Sequence, residues 1–300
     1  MLQMSYIGNS GYEIIINDSL ISLQNFRAWI VSMDNMGQYA FSEYKTSNIQ
    51  FNKTELSMTN LYSDYPNGIG KELWRMVSWP SQLSNNKLKI SSLDDGHVFY
   101  AWDSEKEHYF VPNIIEKGRA YWFRHIYKEP VIFQEDTSTS IPLENFIIDL
   151  DQGWNLIGNP FSFPVRFQKD SIVNNPITYG LPDKPNGWSG PQYELNPWNG
   201  YAVFTAEKAS ITLFPFPVED SILVQTLTPK EWYLNIKLDS ESFINYSTEI
   251  GRRKNANDSY DLFDTPVYPS INQDMSLVMD LNGTGSFKYI RDIRNIDEFN

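Results

Sequence analysis

The sequence predicts an all-β chain of tandem small antiparallel β-sandwich or barrel units with few short helical turns. Three observations predict it. A long phrase occurs twice: W-R-M-V-S-W-P at residues 74–80 repeats the frame of W-N-L-I-G-N-P-F-S-F-P-V at residues 154–165, with a Trp, one polar residue, two apolar residues, two further positions and a Pro. Apolar runs are short and closely punctuated by Gly, Pro and Asn, as short strands require. Aromatic residues make up 15% of the 300 residues, and they are spread along the whole chain in the manner of half-buried sheet surfaces. The frame recurs further along, where Gly118-Arg119-Ala120-Tyr121-Trp122-Phe123 is echoed by Gly200-Tyr201-Ala202-Val203-Phe204, so the duplication spans two adjacent units.

Residues 1–50 read as about four strands, the tail of an Ig-like or fibronectin-like β domain, where a complete immunoglobulin-like sandwich needs roughly seven. Residues 26–31 are β-rich, and Asp34-Asn35-Met36-Gly37 is a turn signal leading into residues 39–41. Residues 51–70 turn polar and read as a linker. The first repeat unit, residues 71–144, carries expected strands at 73–77, 98–102, 108–111, 120–125 and 131–134. The second, residues 145–218, carries them at 146–150, 155–157, 192–195, 201–204 and 211–214. Short helical turns are expected at 83–86 and 167–172.

Residues 219–300 form a C-terminal β-sandwich unit. Trp232, Leu234, Ile236 and Leu238 alternate with polar neighbours to give a strand with one apolar face. A second alternating run at 277–281 precedes Asn282-Gly283, a hairpin signal because both residues tolerate positive φ. The unit is expected to be truncated, and residues 1–50 to lack the beginning of their domain.

With 37 acidic against 24 basic residues the formal charge is −13, which opposes binding to nucleic acid or to an anionic membrane. The absence of cysteine excludes disulfides, thiol nucleophiles and zinc thiolate sites. Residues 1–7 lack the basic flank and apolar run of an export signal. No run approaches the roughly 18–20 apolar residues that membrane insertion by a helix needs.

No catalytic set assembles. The histidines His97, His108 and His125 have spacings that match no metal-ligand signature. Asp94-Asp95 and Asp149 with Asp151 are adjacent carboxylate candidates for glycoside hydrolysis, yet such Asp residues beside Gly are also what turns look like. Asp258, Asp261 and Asp264 form the densest set of oxygen ligands. They suit calcium, although Phe263 stands where an EF-hand needs Gly, and Asx turns before a Pro account for the same residues. The aromatic residues offer a binding hypothesis. Trp102 and Tyr109 in the first unit correspond roughly to Trp188 and Tyr193 in the second, and Trp198 and Tyr201 lie near the repeated Gly. Either these rings fill the cores of small β units or they share an exposed face that stacks on sugar rings, with turn-flanked Trp188 and Trp198 the exposed members.

The phrases Gly153-Trp-Asn-Leu-Ile-Gly-Asn-Pro-Phe-Ser-Phe-Pro-Val165, Trp74-Arg-Met-Val-Ser-Trp-Pro80, Lys117-Gly-Arg-Ala-Tyr-Trp122 and Leu195-Asn-Pro-Trp-Asn-Gly-Tyr201 resemble a recurring C-terminal β-module region of secreted multidomain proteins of the Bacteroidetes and related bacteria, exported by the type IX secretion system. The loop from Ala256 to Pro266 resembles part of the unit that follows there. The resemblance implies an extracellular or cell-surface location and a non-catalytic segment that spaces or presents neighbouring domains of a larger chain. It brings no catalytic residues. A carbohydrate-binding module is the second reading, with polysaccharide as partner and Trp102, Tyr109, Trp188, Tyr193, Trp198 and Tyr201 as its ligand-binding residues. A carboxylate enzyme is the third, and calcium is the one cofactor considered.

Overall fold

The computed structural model describes residues 5–8, 11–13, 26–28, 30–43, 45–47, 50–52, 56–59, 63–83, 96–133, 137–169, 172–216, 232–237, 247–254, 256–257, 261, 263–271 and 289–295. Among them the protein is all β, with no helix, in several small and mainly antiparallel sheets. The helical turns expected at 83–86 and 167–172 do not form where the chain is described: Leu83 ends the strand Gln82–Leu83, and residues 167–169 are irregular. The alternating run 277–281 and its Asn-Gly turn lie outside the described residues.

The two repeats build the centre. In the first, Arg75–Ser78 pairs with Ala120–His125, and in the second Gly153–Gly158 pairs with Gly200–Thr205. Both pairs have the same register. Ala120 faces Ser78 and Tyr121 faces Val77, while Gly200 faces Gly158 and Tyr201 faces Ile157. Equivalent residues are therefore 80 apart, as Ser78 and Gly158 or Tyr121 and Tyr201 show. This corrects the match of Gly118 with Gly200 expected from the sequence, because Gly118 is equivalent to Trp198.

Period-two alternation explains why these strands are buried at all positions but Arg124 and Trp154, which are half-buried. Val77, Tyr121 and Phe123 point into the core of the first unit, and Ile157, Tyr201 and Val203 into that of the second. Their neighbours Met76, Ala120, Trp122, Leu156 and Ala202 point the other way, into one layer shared by both units. A strand pair buried on both faces reads as a continuous apolar run rather than as alternation.

The units exchange symmetric contacts across this layer. Val77 bridges to Asn199 and, at the equivalent positions, Ile157 bridges to Arg119. The Ser78 amide donates to the Trp198 carbonyl at 2.9 Å, and the Gly158 amide to the Gly118 carbonyl at 3.0 Å. Near this crossing there is room for one side chain of the pair 78 and 158. A Cβ on Gly158 would lie 2.2 Å from the Ser78 Cβ. Ser78 uses the space, its Oγ donating to the Asn199 carbonyl at 2.7 Å.

The second unit's N-P-F-S-F-P turn has its own clasp. Asn159 is fully buried; its Nδ2 donates to the carbonyls of Phe163 (2.7 Å) and Leu195 (2.8 Å), and its Oδ1 accepts from the Phe161 amide at 2.9 Å. A buried amide needs such satisfaction to be tolerated. Around it Phe161, Phe163 and Val165 enter the core with Ile148, Leu150, Ile211 and Leu213.

Residues 51–70, expected as a linker, supply Leu56, Met58, Tyr65 and Ile69 to the first unit's core. Gln50–Asn52 pairs with Thr137–Thr139, and Ile69 bridges to Val131. The polar composition concealed this because its few apolar residues are spaced too irregularly to mark a strand.

In the N-terminal part, Val31–Met33 pairs with Tyr39–Phe41 around the expected turn, where Asp34 Oδ1 accepts from the amides of Met36 and Gln38 and Gly37 has φ of 80°. The C-terminal part has Trp232–Lys237 beside Ser247–Arg253, which runs parallel to Tyr289–Asn295, which in turn pairs with Thr265–Pro266. The apolar face expected on Trp232–Lys237 is not buried at Leu234, which is exposed.

Gly158→Ala is expected to destabilise the chain by about 2–3 kcal/mol through overpacking. Chemical denaturation of Gly158→Ala, Ser78→Gly and the double variant checks the seam. The clash predicts a smaller combined loss than the sum of the single losses; strict additivity would mean that the two positions do not meet.

Candidate functional site: a shared aromatic layer

The layer between the repeats gathers three of the six aromatic candidates, Trp102, Tyr109 and Trp188, together with Trp74, Trp122 and Trp154. Trp102 faces Tyr109 across one strand pair, with ring centroids 4.7 Å apart. In the second unit the hairpin of Tyr179–Leu181 with Lys184–Trp188 sets Tyr179 opposite Trp188, with centroids 5.5 Å apart. Trp122 lies edge-on between them, 5.0 Å from Tyr179 and 5.7 Å from Trp188. Edge-to-face contacts of this kind follow from the ring quadrupoles. The partner of Trp188 is thus Tyr179 and not Tyr193, which belongs to a different edge of the unit and is 38% exposed.

The expectation that Trp188 and Trp198 are surface rings is corrected: they are 1% and 2% exposed, and Tyr201 is 1% exposed. Trp198 leaves its own unit and enters the core of the first, edge-on to Trp79 with centroids 6.3 Å apart. Its backbone has φ of 68°, like the 75° of its equivalent Gly118. A left-handed conformation costs a non-glycine residue about 1–2 kcal/mol. Truncating a buried Trp typically costs about 3–5 kcal/mol, so the buried ring outweighs the strain. The sequence hides this because left-handed turns signal Gly or Asn, not Trp.

Trp74 and Trp154, the equivalent residues that open the repeated phrase, are half-buried at the rim of the layer. Trp102 Nε1 donates to the Trp154 carbonyl at 2.8 Å, joining the units. Arg75 is buried nearby and donates through Nη1 to the carbonyls of Trp74 and Pro185, each at 2.7 Å. Burial holds its pKa below the ordinary arginine value. The positive φ of 80° at Gly180 brings that backbone against the guanidinium, leaving no space for a Cβ.

The layer is capped by the C-terminal part of the chain. Residues 267–271, V-Y-P-S-I, cross it without regular hydrogen bonding of their own. Trp154 Nε1 of the second unit donates to the Val267 carbonyl at 2.8 Å. The Tyr109 hydroxyl of the first unit donates to the Pro269 carbonyl and accepts from Trp122 Nε1 at 3.0 Å. Burial pushes the Tyr109 pKa up, which keeps the hydroxyl a donor, while the Trp122 hydrogen bond pulls it slightly down. The Tyr268 ring lies 5.2 Å from Trp188 and 6.1 Å from Trp154. Trp188 Nε1 is buried with no hydrogen-bond partner. Leaving such a donor unsatisfied costs about 1–3 kcal/mol.

The acidic loop anchors this strap. Asp264 Oδ1 accepts from the Ile293 amide and Oδ2 from the Asp261 amide, both at 2.9 Å, while Asp261 accepts from the amides of Asn257 and Phe263. Both described carboxylates are thus engaged by backbone amides in Asx-type turns; Asp258 lies outside the described residues. No group of three or more potential metal ligands occurs among the described residues. Burial pushes the Asp264 pKa up to about 7, opposed by its two backbone donors and reinforced by Asp261 and Asp292.

The remaining candidates are dispersed. Asp149 is exposed on its strand, and Asp151 lies 3.1 Å from Lys208 Nζ. Asp94 and Asp95 lie outside the described residues. His97 and His125 face each other across neighbouring strands, but His125 Nε2 is 2.8 Å from the Ile69 carbonyl and His97 Nδ1 is 3.2 Å from the Tyr127 hydroxyl. His108 is exposed opposite Asp103. No known family, curated protein or solved structure matches the chain.

The raised Asp264 pKa predicts the direction of a pH effect. The folded state holds this proton up to about pH 7, whereas the unfolded carboxyl releases it near 3.8. The associated stability is therefore fully present below about pH 4 and is lost as pH rises through 7. Urea unfolding of the wild type and Asp264→Asn across that window checks it: the wild-type minus variant difference should fall with pH, and a constant or rising difference would contradict the assignment.

Proposed function

We propose that this chain is a non-catalytic structural segment that spaces or presents neighbouring domains of a secreted or cell-surface multidomain bacterial protein. The observation that carries the reading is the use of the aromatic residues. The rings at 122, 179, 188 and 198 join the two repeats to each other, and those at 109 and 154 fasten the C-terminal strap. A segment whose central Trp and Tyr residues tie its own units together is suited to holding a fixed spacing. The resemblance of the repeated phrases to type IX secreted proteins supports the extracellular setting.

The carbohydrate-binding reading draws less support. Sugar stacking needs accessible, roughly coplanar rings, whereas Trp188, Trp198 and Tyr201 are buried and Tyr193 stands apart from them. The carboxylate-enzyme reading draws no support from its described candidates: Asp149 is exposed on its strand and Asp151 is paired with Lys208. Calcium would have to displace the backbone amides that Asp261 and Asp264 already accept.

A panel of immobilised polysaccharides, read by retention and by intrinsic Trp fluorescence, tests the choice. The presentation reading predicts no saturable binding and no spectral shift. Saturable binding that is lost on Trp102→Ala or Tyr193→Ala would put the carbohydrate reading ahead.

A further inference from the structure

The strap at residues 267–271 meets the repeats as a bound peptide meets a receptor. Its backbone is irregular, with a tight turn at Pro269 where the Ser270 amide donates to the Tyr268 carbonyl at 2.8 Å, and two of its carbonyls, those of Val267 and Pro269, accept from an indole and a phenol contributed by different repeats. Its central ring, Tyr268, sits against Trp188 and Trp154, and Ile271 packs against the same layer. Most of the strap is only half-buried, with Pro269 the buried exception, so it lies on the layer instead of forming its interior. Aromatic grooves that offer indole and phenol donors to backbone carbonyls are a general means of holding proline-containing segments.

The Trp188 indole, 1% exposed, packs against the Tyr268 ring and against Trp122 and Tyr179, so the strap's aromatic residue rests on a cluster of rings that belong to both repeats.

We infer that the seam between the repeats is a peptide-binding groove whose ligand class is a short, uncharged segment with an aromatic residue before a proline, and that residues 267–271 are its built-in occupant. The C-terminal unit is thereby docked through a releasable contact, and a segment of the same chemistry supplied by another molecule binds when the strap is weakened. This goes beyond the presentation reading and does not rest on it.

The test uses the full chain and a fluorescein-labelled peptide of sequence TPVYPSI, that of residues 265–271. Anisotropy titration should show saturable binding to the Tyr268→Ala chain at least tenfold tighter than to the wild type, whose groove is filled. Adding Trp154→Phe, which removes one donor, should weaken that binding at least fivefold, and a peptide with Ala in place of its Tyr should not bind. Equal affinity for wild type and Tyr268→Ala, or no binding to a folded Tyr268→Ala chain, overturns the inference.

Should Tyr268→Ala lose its sheet signal by circular dichroism, Tyr268→Leu, which keeps bulk on the strap but removes its ring, serves instead with a peptide carrying a photoreactive benzoylphenylalanine at the Tyr position. Cross-links to the Trp154 or Trp188 strands support the groove; none, or cross-links scattered elsewhere, overturn it. A wild-type dimer that excludes the peptide and dissociates on Tyr268→Ala also overturns it, by making a second copy the occupant.

Discussion

Each repeat presents a strand pair that is apolar on both faces, and one face of such a pair cannot be left in water. The first face closes over the unit's own core. The second carries Met76 and Trp122 in one repeat and Leu156 and Ala202 in the other, and it can close only against the equivalent surface of the second copy. The duplication is therefore a packing requirement: each unit completes the other. The crossed bridges Val77 to Asn199 and Ile157 to Arg119, and the insertion of Trp198 into the first unit's core, follow from bringing two such faces together.

Symmetry at the seam is broken where two identical residues could not coexist. Ser78 fills a space that Gly158 leaves free, and Ala120 faces Gly200 in the same way, since a Cβ on Gly200 would lie 2.8 Å from that of Ala120. Volume is also traded across the layer, with the large Trp122 in one repeat standing at the position of Ala202 in the other. Two diverged copies can thus interdigitate at the density of a protein interior, where identical large residues would collide.

Much of this architecture was legible in the sequence. The repeated Trp-to-Pro phrase marked the central strands, and Ala120–His125 and Phe146–Leu150 lie where the short apolar runs place them. The shared layer was not legible. Period-two patterns show that a strand has two apolar faces, but not which surface covers the second. Trp188 looked exposed because Lys184-Pro185-Asn186-Gly187 reads as a turn, yet these residues lie within a strand whose last residue packs inward. The linker reading of residues 51–70 failed for a related reason: isolated Leu56, Met58 and Ile69 in a polar stretch carry no periodicity, and only the fold brings them to one core. The strap was legible only as a loop, since its contacts join Pro269 to Tyr109 and Val267 to Trp154 across long stretches of sequence.

Native-state hydrogen exchange tests most directly whether the repeats stand or fall together. The amides of Ser78 and Gly158 each donate across the seam, to the carbonyls of Trp198 and Gly118. If the shared layer makes one cooperative body, both amides exchange with the same opening free energy and the same denaturant dependence, equal to those of Val77 and Ile157 beside them in the same strands. Two distinct opening levels, one for each repeat, would show that the units are stable alone and that the seam merely sets them side by side.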